Sequence, residues 1–253
     1  MIKAVIFDLD DTLIDWSGVT QNWDDIIAGQ LAPVLSYLAE ASHAVPDSAL
    51  LVSDLQERIR GAWRATMPPE WKSPQHRVIL QDSLRDHGVP VDEIGMELLY
   101  ERLAWGLVPG VKAFPHTKPI LTRLRESGLK IGLLTNAAQP MRLRDIELET
   151  LGLLDYFDYR TSAADVGIIK PHPEPFRVVM NALGVAADET FYVGDRPHDD
   201  VLGAQAAGMR AVWVRRPFSQ GLDDSIKPNA IIDSLGELPG VIDRWYPGWQ
   251  ATG

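Results

Sequence analysis

The chain has 253 residues, a formal net charge of −11 and no cysteine. Its length suits one large domain or one domain with a sizeable insertion, and no apolar run approaches the ~20 residues that span a membrane. The charge argues against a nucleic-acid surface because no basic run offsets it, while the missing thiols exclude disulfides, zinc–thiolate sites and cysteine nucleophiles and fit a cytoplasmic setting. An anionic small substrate stays open, since one cation and one lysine reverse a local field.

Taken in order, residues 4–7 are an apolar run that reads as a fully buried strand, so no signal peptide is expected there. It leads directly into Asp8, Asp10 and Asp11. Side chains alternate along an extended chain, so Asp8 and Asp10 start on one side and Asp11 points elsewhere. Paired carboxylates at the end of a buried strand are costly unless a shared proton or a hard divalent cation neutralises them. The plainer alternative is an Asp-rich turn capping a helix. A calcium loop fits poorly, because Leu13 and Val19 stand where such a loop needs Gly and Glu.

Four helix-period patterns follow, over 23–38, 47–63, 75–87 and 92–105, punctuated by Pro68-Pro69 and Pro109-Gly110. They predict a small helical bundle. From residue 114 onward the texture changes to alternation. Helices are predicted over 117–127, 141–151, 173–183 and 199–207, and each stops at a glycine. Strands are predicted over 130–135, 157–161, 191–195 and 210–214, with a possible last one at 231–232. The fold class is therefore α/β, a doubly wound parallel sheet.

More than a hundred residues separate the first strand from the next, whereas a crossover needs only about 30. The surplus, residues 16–111, is expected to be an inserted helical cap domain on a core made of 1–15 and 112–253. It leaves the carboxyl end of the first strand, where open parallel sheets bind ligands. Its loop-like ends, Asp15 to Gly18 and Val108 to Gly110, suit a two-stranded hinge. The cap is expected to select the substrate, with Trp23, Arg64, Lys72 and Arg77 as candidate contacts. The aromatic tail around Trp245 and Trp249 is expected to pack on the core, with an oligomer contact as the alternative; the chain is taken as monomer or homodimer.

Further candidates fall at later strand ends and helix entries. Thr135-Asn136 end a strand and can donate to an anion, or merely form a turn. Lys170 precedes Pro171, which biases it toward extended backbone at a helix entry, where its charge could meet a phosphate or simply face water. Asp195 follows a buried strand as Asp8 does. Asp199 and Asp200 open a helix, where capping is their plain role.

Together these segments resemble the four motifs of the haloacid dehalogenase-like (HAD) hydrolases. Asp8-Leu9-Asp10-Asp11-Thr12 looks like the first, Thr135-Asn136 the second, Lys170-Pro171 the third and Gly194-Asp195 through Asp200 the fourth. The insertion resembles the helical cap of subfamily I on a Rossmann-like core. The resemblance implies a Mg2+-dependent phosphatase acting on a small phosphate ester through an aspartyl-phosphate. It implies Asp8 as nucleophile and Asp10 as acid and base. Mg2+ would be held by Asp8, the Asp10 backbone carbonyl and Asp195, and phosphate by Thr135, the amide of Asn136 and Lys170. Thr12, Asp199 and Asp200 would support them. The family's dehalogenases carry Tyr, and its phosphonatases Ala, two residues after the nucleophile; here that residue is Asp10. A sugar-phosphate mutase or a dehalogenase of this family remains an alternative, as does a non-catalytic binding protein on the same fold.

Overall fold

The apolar run after Lys3 becomes the central strand of a parallel sheet. A computed structural model describes residues 1–217, 223 and 225–250. The strands are β1 (Ala4–Phe7), β2 (Ile14–Asp15), β3 (Lys112–Ala113), β4 (Lys130–Thr135), β5 (Tyr159–Ser162), β6 (Thr190–Gly194), β7 (Arg210–Val214) and β8 (Ala230–Ile232). The helices are α1 (Trp23–Glu40), α2 (Ser48–Arg64), α3 (His76–Asp86), α4 (Val91–Ile94), α5 (Met96–Glu101), α6 (Thr117–Glu126), α7 (Met141–Thr150), α8 (Ala163–Val166), α9 (Pro173–Leu183), α10 (Gly203–Ala206) and α11 (Leu238–Trp245).

The main sheet runs β5-β4-β1-β6-β7-β8, with every pairing parallel. Alternation along β1 sends Val5 and Phe7 into one apolar core with α6, α7 and α11. Ala4 and Ile6 enter a second core with α9 and α10. The sheet is therefore covered on both faces, the doubly wound α/β architecture expected from the alternation. Local chemistry supports the boundaries. α9 begins with Pro173 at its first position, a place that needs no N–H, and stops at Gly184 in the left-handed conformation.

The helices between β2 and β3 enclose a core of their own, built on Leu31, Leu38, Leu51, Leu80 and Leu99. Leu143 of α7 joins it from below, so the bundle rests on the sheet layer. Three of the four predicted bundle helices appear with ends shifted by a residue or two. The fourth, read as continuous over 92–105, is instead split into α4 and α5 at Gly95, whose φ of 91° no helix accepts. The helix predicted over 199–207 opens as a π-helical turn at Pro197–Leu202 before α10. α8 and α11 went unread because one is a single turn and the other opens Leu-Pro-Gly. Trp249 is buried in the core, and Trp245 packs edge-on to Phe191 at 5.6 Å, so the aromatic tail does pack inward. Among the described residues no helix is long and apolar enough to cross a membrane.

β2 and β3 pair antiparallel at the base of the bundle, so the chain leaves and returns through one two-stranded neck. Just above it Gly18 and Gly110 pass backbone to backbone. A Cβ at Gly110 would run into the carbonyl of Gly18, and Gly110 has φ of 99° besides. Gly88 has a similar φ of 83° but open space around it. Both Gly→Ala changes should therefore cost the left-handed penalty of about 1–2 kcal/mol. Gly110→Ala should cost about 3 kcal/mol in total because the backbone contact must also open. Urea midpoints of the two variants test this, and equal losses would mean that the crossing relaxes freely.

Candidate active site

β1 lies between β4 and β6, so three neighbouring strand ends deliver Asp8, Thr135 and Asp195 to one place. The chain departs to one side of β1 and returns on the other, the topological position at which open sheets bind ligands. The ladder continues one residue past β1, because the Asp8 N–H donates to the Val193 carbonyl at 2.9 Å. Asp8 is thus fixed by the sheet itself. Thr12 donates to its Oδ2 at 3.4 Å.

Lys170 is fully buried beneath this carboxylate. Its Nζ donates to Asp8 Oδ1 at 2.8 Å, Asp200 Oδ1 at 2.7 Å and the Tyr192 hydroxyl at 2.8 Å, with the Leu134 carbonyl at 3.2 Å. Tyr192 in turn donates to Leu134 O. Burial opposes the charge on Lys170, but Asp200 and Asp8 outweigh it and raise its pKa. The backbone of Lys170 is clamped by Asn136, whose side chain accepts from Lys170 N–H at 2.9 Å and donates to its carbonyl at 3.0 Å. The Asn136 carboxamide therefore orients Lys170, and only its backbone amide is left for an anion. Asp200 reaches Lys170 because its other oxygen accepts the Arg196 N–H at 2.9 Å and because residue 194 is glycine. A Cβ there would overlap the Asp200 carboxylate. Asp199 does not join this group, contrary to expectation. Its carboxylate faces Arg196 and His198, since the next position on the turn points the other way.

Asp8, Asp195 and Asp200 each place a carboxylate oxygen within 4.8 Å of the others, a set that could hold a metal ion. The Asp195 Oδ1 is buried without a hydrogen-bond partner. Burial, reinforced by Asp8 and Asp200, raises the Asp195 carboxyl to about 8. Burial raises Asp8 to about 7 although Lys170 pulls the other way. Three carboxylates face one ammonium, and the orphaned oxygen marks where a hard cation fits.

Asp10 lives in a different environment. Its Oδ1 accepts from Arg144 Nη2 at 2.6 Å and from the Trp16 indole at 2.8 Å, and Thr135 donates to its Oδ2 at 3.3 Å. Burial works against its ionisation, but Arg144 and Trp16 prevail and lower its pKa. Asp10 stands outside the set of Asp8, Asp195 and Asp200, yet close enough for its charge to help raise the Asp8 carboxyl. Beyond it Asp11 turns the chain with φ of 59°, and Arg216 donates to the Asp11 and Thr12 carbonyls, pinning the loop.

Arg144, Trp16 and Tyr192 escaped the sequence reading. One signal was available: Met141, Arg144 and Leu148 share the buried face of α7, so Arg144 interrupts an apolar stripe. The bundle closes over the site through backbone bonds. Ile169 N–H donates to Trp71 O, Ser73 N–H to Gly167 O and His76 N–H to Ala138 O. Of the four bundle candidates, Trp23 stacks on Trp16 at 6.0 Å and Lys72 bridges to Ile168. Arg64 and Arg77 are instead engaged with Glu57 and Glu97.

The family model of haloacid dehalogenase-like hydrolases matches residues 2–208. The chain is 29% identical to a phosphoserine phosphatase of Thermus thermophilus, over 94% of this chain and 98% of the relative. It is 30% identical to a phosphoglycolate phosphatase of Salmonella typhimurium, over 94% of this chain and 91% of the relative. A crystal structure of a 2-haloacid dehalogenase from Pseudomonas syringae pv. Tomato superposes with a TM-score of 0.65 at 33% identity, covering 97% of this chain and all of that one.

The raised carboxyls carry a pH signature. Unfolded, Asp8 and Asp195 lose their protons near 3.8, whereas folded they lose them near 7 and 8. The cation-free protein should therefore lose stability as pH rises from about 4 to about 8. A divalent cation needs the carboxylates ionised, so its stabilisation should be small at pH 5 and large at pH 8. At a concentration near 100 Kd the gain is about 2.7 kcal/mol, or about 5–10 °C in Tm. Thermal melts with and without MgCl2 at the two pH values decide it. An equal shift at both would contradict the carboxylate cluster as the binding site.

Proposed function

The chain belongs to the haloacid dehalogenase-like hydrolases, and we propose that it is a Mg2+-dependent phosphatase of small phosphomonoesters, with Asp8 as nucleophile. The observation that carries this reading is the second acid, Asp10, held beside the site by Arg144 and Trp16. An alkoxide leaving group needs a proton, whereas a halide needs none. The same residue weighs against the dehalogenase reading that the neighbouring structure's name would suggest. The relatives named as phosphoserine and phosphoglycolate phosphatases support a small ester as substrate.

In this reading an oxygen of Asp8 attacks phosphorus while the bond to the ester oxygen breaks. Arg144 and Trp16 favour the ionised form of Asp10, so Asp10 first takes up a proton from solvent, gives it to the departing alkoxide, and later accepts one from the water that attacks the phosphoryl group on Asp8. Inorganic phosphate leaves and Asp8 is restored. Asp8, Asp195 and the backbone carbonyl of Asp10 would hold Mg2+, which when bound offsets the repulsion between an anionic nucleophile and an anionic phosphoryl group. Lys170, Thr135 and the backbone amide of Asn136 would receive the phosphoryl oxygens. Thr12 steadies Asp8, and Asp200 holds Lys170 in place. Residues 16–111 serve as a cap domain that closes over the ester and reads the part beyond phosphorus. Its contacts to Gly167, Ile169 and Ala138 support that role, since they fall next to Lys170 and Asn136.

Phosphate release from a panel of small esters, run beside halide release from 2-haloacids, tests the assignment. Phosphate is expected with Mg2+ present and not after EDTA treatment. Asp8→Asn should lower turnover by at least about 10³-fold, in line with removal of a nucleophile. Its circular dichroism and stability should stay near normal, because the change relieves repulsion in a crowded anionic site. Halide release without phosphate release would replace the phosphatase reading by the dehalogenase one.

A further inference from the structure

A chain of five side chains runs from the bundle to Asp10. The Trp105 indole, in the segment that follows α5, donates to Glu147 Oε1 at 3.1 Å. Glu147 Oε2 lies 3.3 Å from Arg144 Nη2, an ion-pair contact without hydrogen-bond geometry, and the same nitrogen donates to Asp10 Oδ1 at 2.6 Å. The Trp16 indole completes the set at 2.8 Å from that oxygen. The side chains of Arg144 and Glu147 are 7% and 3% exposed.

Nothing about packing requires charges here. Arg144 and Glu147 stand one turn apart on the face of α7 that otherwise buries Met141 and Leu148. Buried charges persist only when paired, and Arg144 is hydrogen-bonded to Asp10 and within ion-pair distance of Glu147, whose carboxyl is raised by burial to about 7. A guanidinium presents its donors in a rigid plane, so a carboxylate that anchors it also sets the direction in which it meets a second one. Glu147 acts on Arg144 through charge at 3.3 Å rather than through a hydrogen bond. Arg144 and Trp16 both donate to Oδ1 of Asp10, which leaves Oδ2 facing the Thr135 hydroxyl.

We propose that Arg144, braced by Glu147 and by Trp105 of the bundle, is a positioning residue that holds the carboxylate of Asp10 in place for its work on the leaving oxygen. The proposal rests on the phosphatase reading. It extends that reading by tying the seating of the bundle to the placement of the acid. Trp105 reaches Glu147 only where the bundle sits on α7, so the brace is complete only in the closed arrangement.

The test is the dependence of the defect on the leaving group. kcat/KM reports the first step, in which the ester bond breaks, and is blind to the later hydrolysis of the aspartyl-phosphate. Phosphoserine, phosphoglycolate and glycerol 2-phosphate depart as alkoxides and need the acid, whereas p-nitrophenolate departs without much help. Arg144→Met should lower kcat/KM on the best alkyl phosphate by about 10²-fold or more, the usual worth of a placed acid. On p-nitrophenyl phosphate the loss should be less than about tenfold. Arg144→Lys should recover part of the difference. Glu147→Gln and Trp105→Phe keep Arg144 and should show the same selectivity at smaller size, so they carry the test if Arg144→Met does not fold. Equal losses on alkyl and aryl esters across the series, or no loss, overturn the positioning role while leaving the phosphatase standing. A wild-type chain that releases phosphate from no ester overturns the phosphatase reading itself.

Discussion

One buried ammonium set against three carboxylates organises the centre of this protein. Lys170 bonds Asp8 and Asp200 directly, and Asp195 stands within reach of both acids with an oxygen that nothing satisfies. The surrounding architecture serves this cluster. Asn136 clamps the Lys170 backbone, Gly194 leaves room for the Asp200 carboxylate, and the π-helical turn at Pro197–Leu202 carries that carboxylate inward. π-turns occur often at functional sites because they re-aim a side chain at the expense of regular hydrogen bonding. Burial raises Asp8 and Asp195 together, repulsion among the three acids adds to it while Lys170 and Arg196 oppose it, and a cation suits the site.

The two acids that close the first strand have been given opposite environments. Asp8 is raised toward neutrality by burial, and Asp10 is held below the usual carboxylate range by Arg144. In the proposed reaction the nucleophile needs the ionised form and the acid the protonated one, the reverse of this order. A bound cation would therefore have to draw Asp8 toward its carboxylate, and Asp10 would have to take up a proton before acting. The means are distinct as well. Asp8 is locked to the sheet through its own backbone, while Asp10 depends on side chains from α7 and from the neck, and through Glu147 on the bundle above.

Much of this was legible before the fold was known, and the reasons are local. The run of residues 4–7, the glycines after the helices and the alternation beyond residue 114 are short-range signals that tertiary structure seldom overrides. The acids and Lys170 were legible because they break such patterns at strand ends. Gly95 was missed because a single glycine in an amphipathic stretch reads as a tolerated cost rather than a break. Asp199 and Asp200 were paired because the sequence places them side by side. Only the turn geometry tells which of them faces Lys170.

By itself, the order of residues determined the α/β class, the inserted helices, the acidic strand ends and the lysine that answers them. These follow from periodicity and from the cost of leaving charge at the end of a buried strand. The tertiary structure alone decided the pairing of those charges. Lys170 lies 162 residues from Asp8, Arg144 lies 134 residues from Asp10, and Trp105 lies 42 residues from Glu147. Hydrogen bonds act over about 3 Å, and no periodicity in the chain encodes which distant partner a sheet and a cap will bring to that distance.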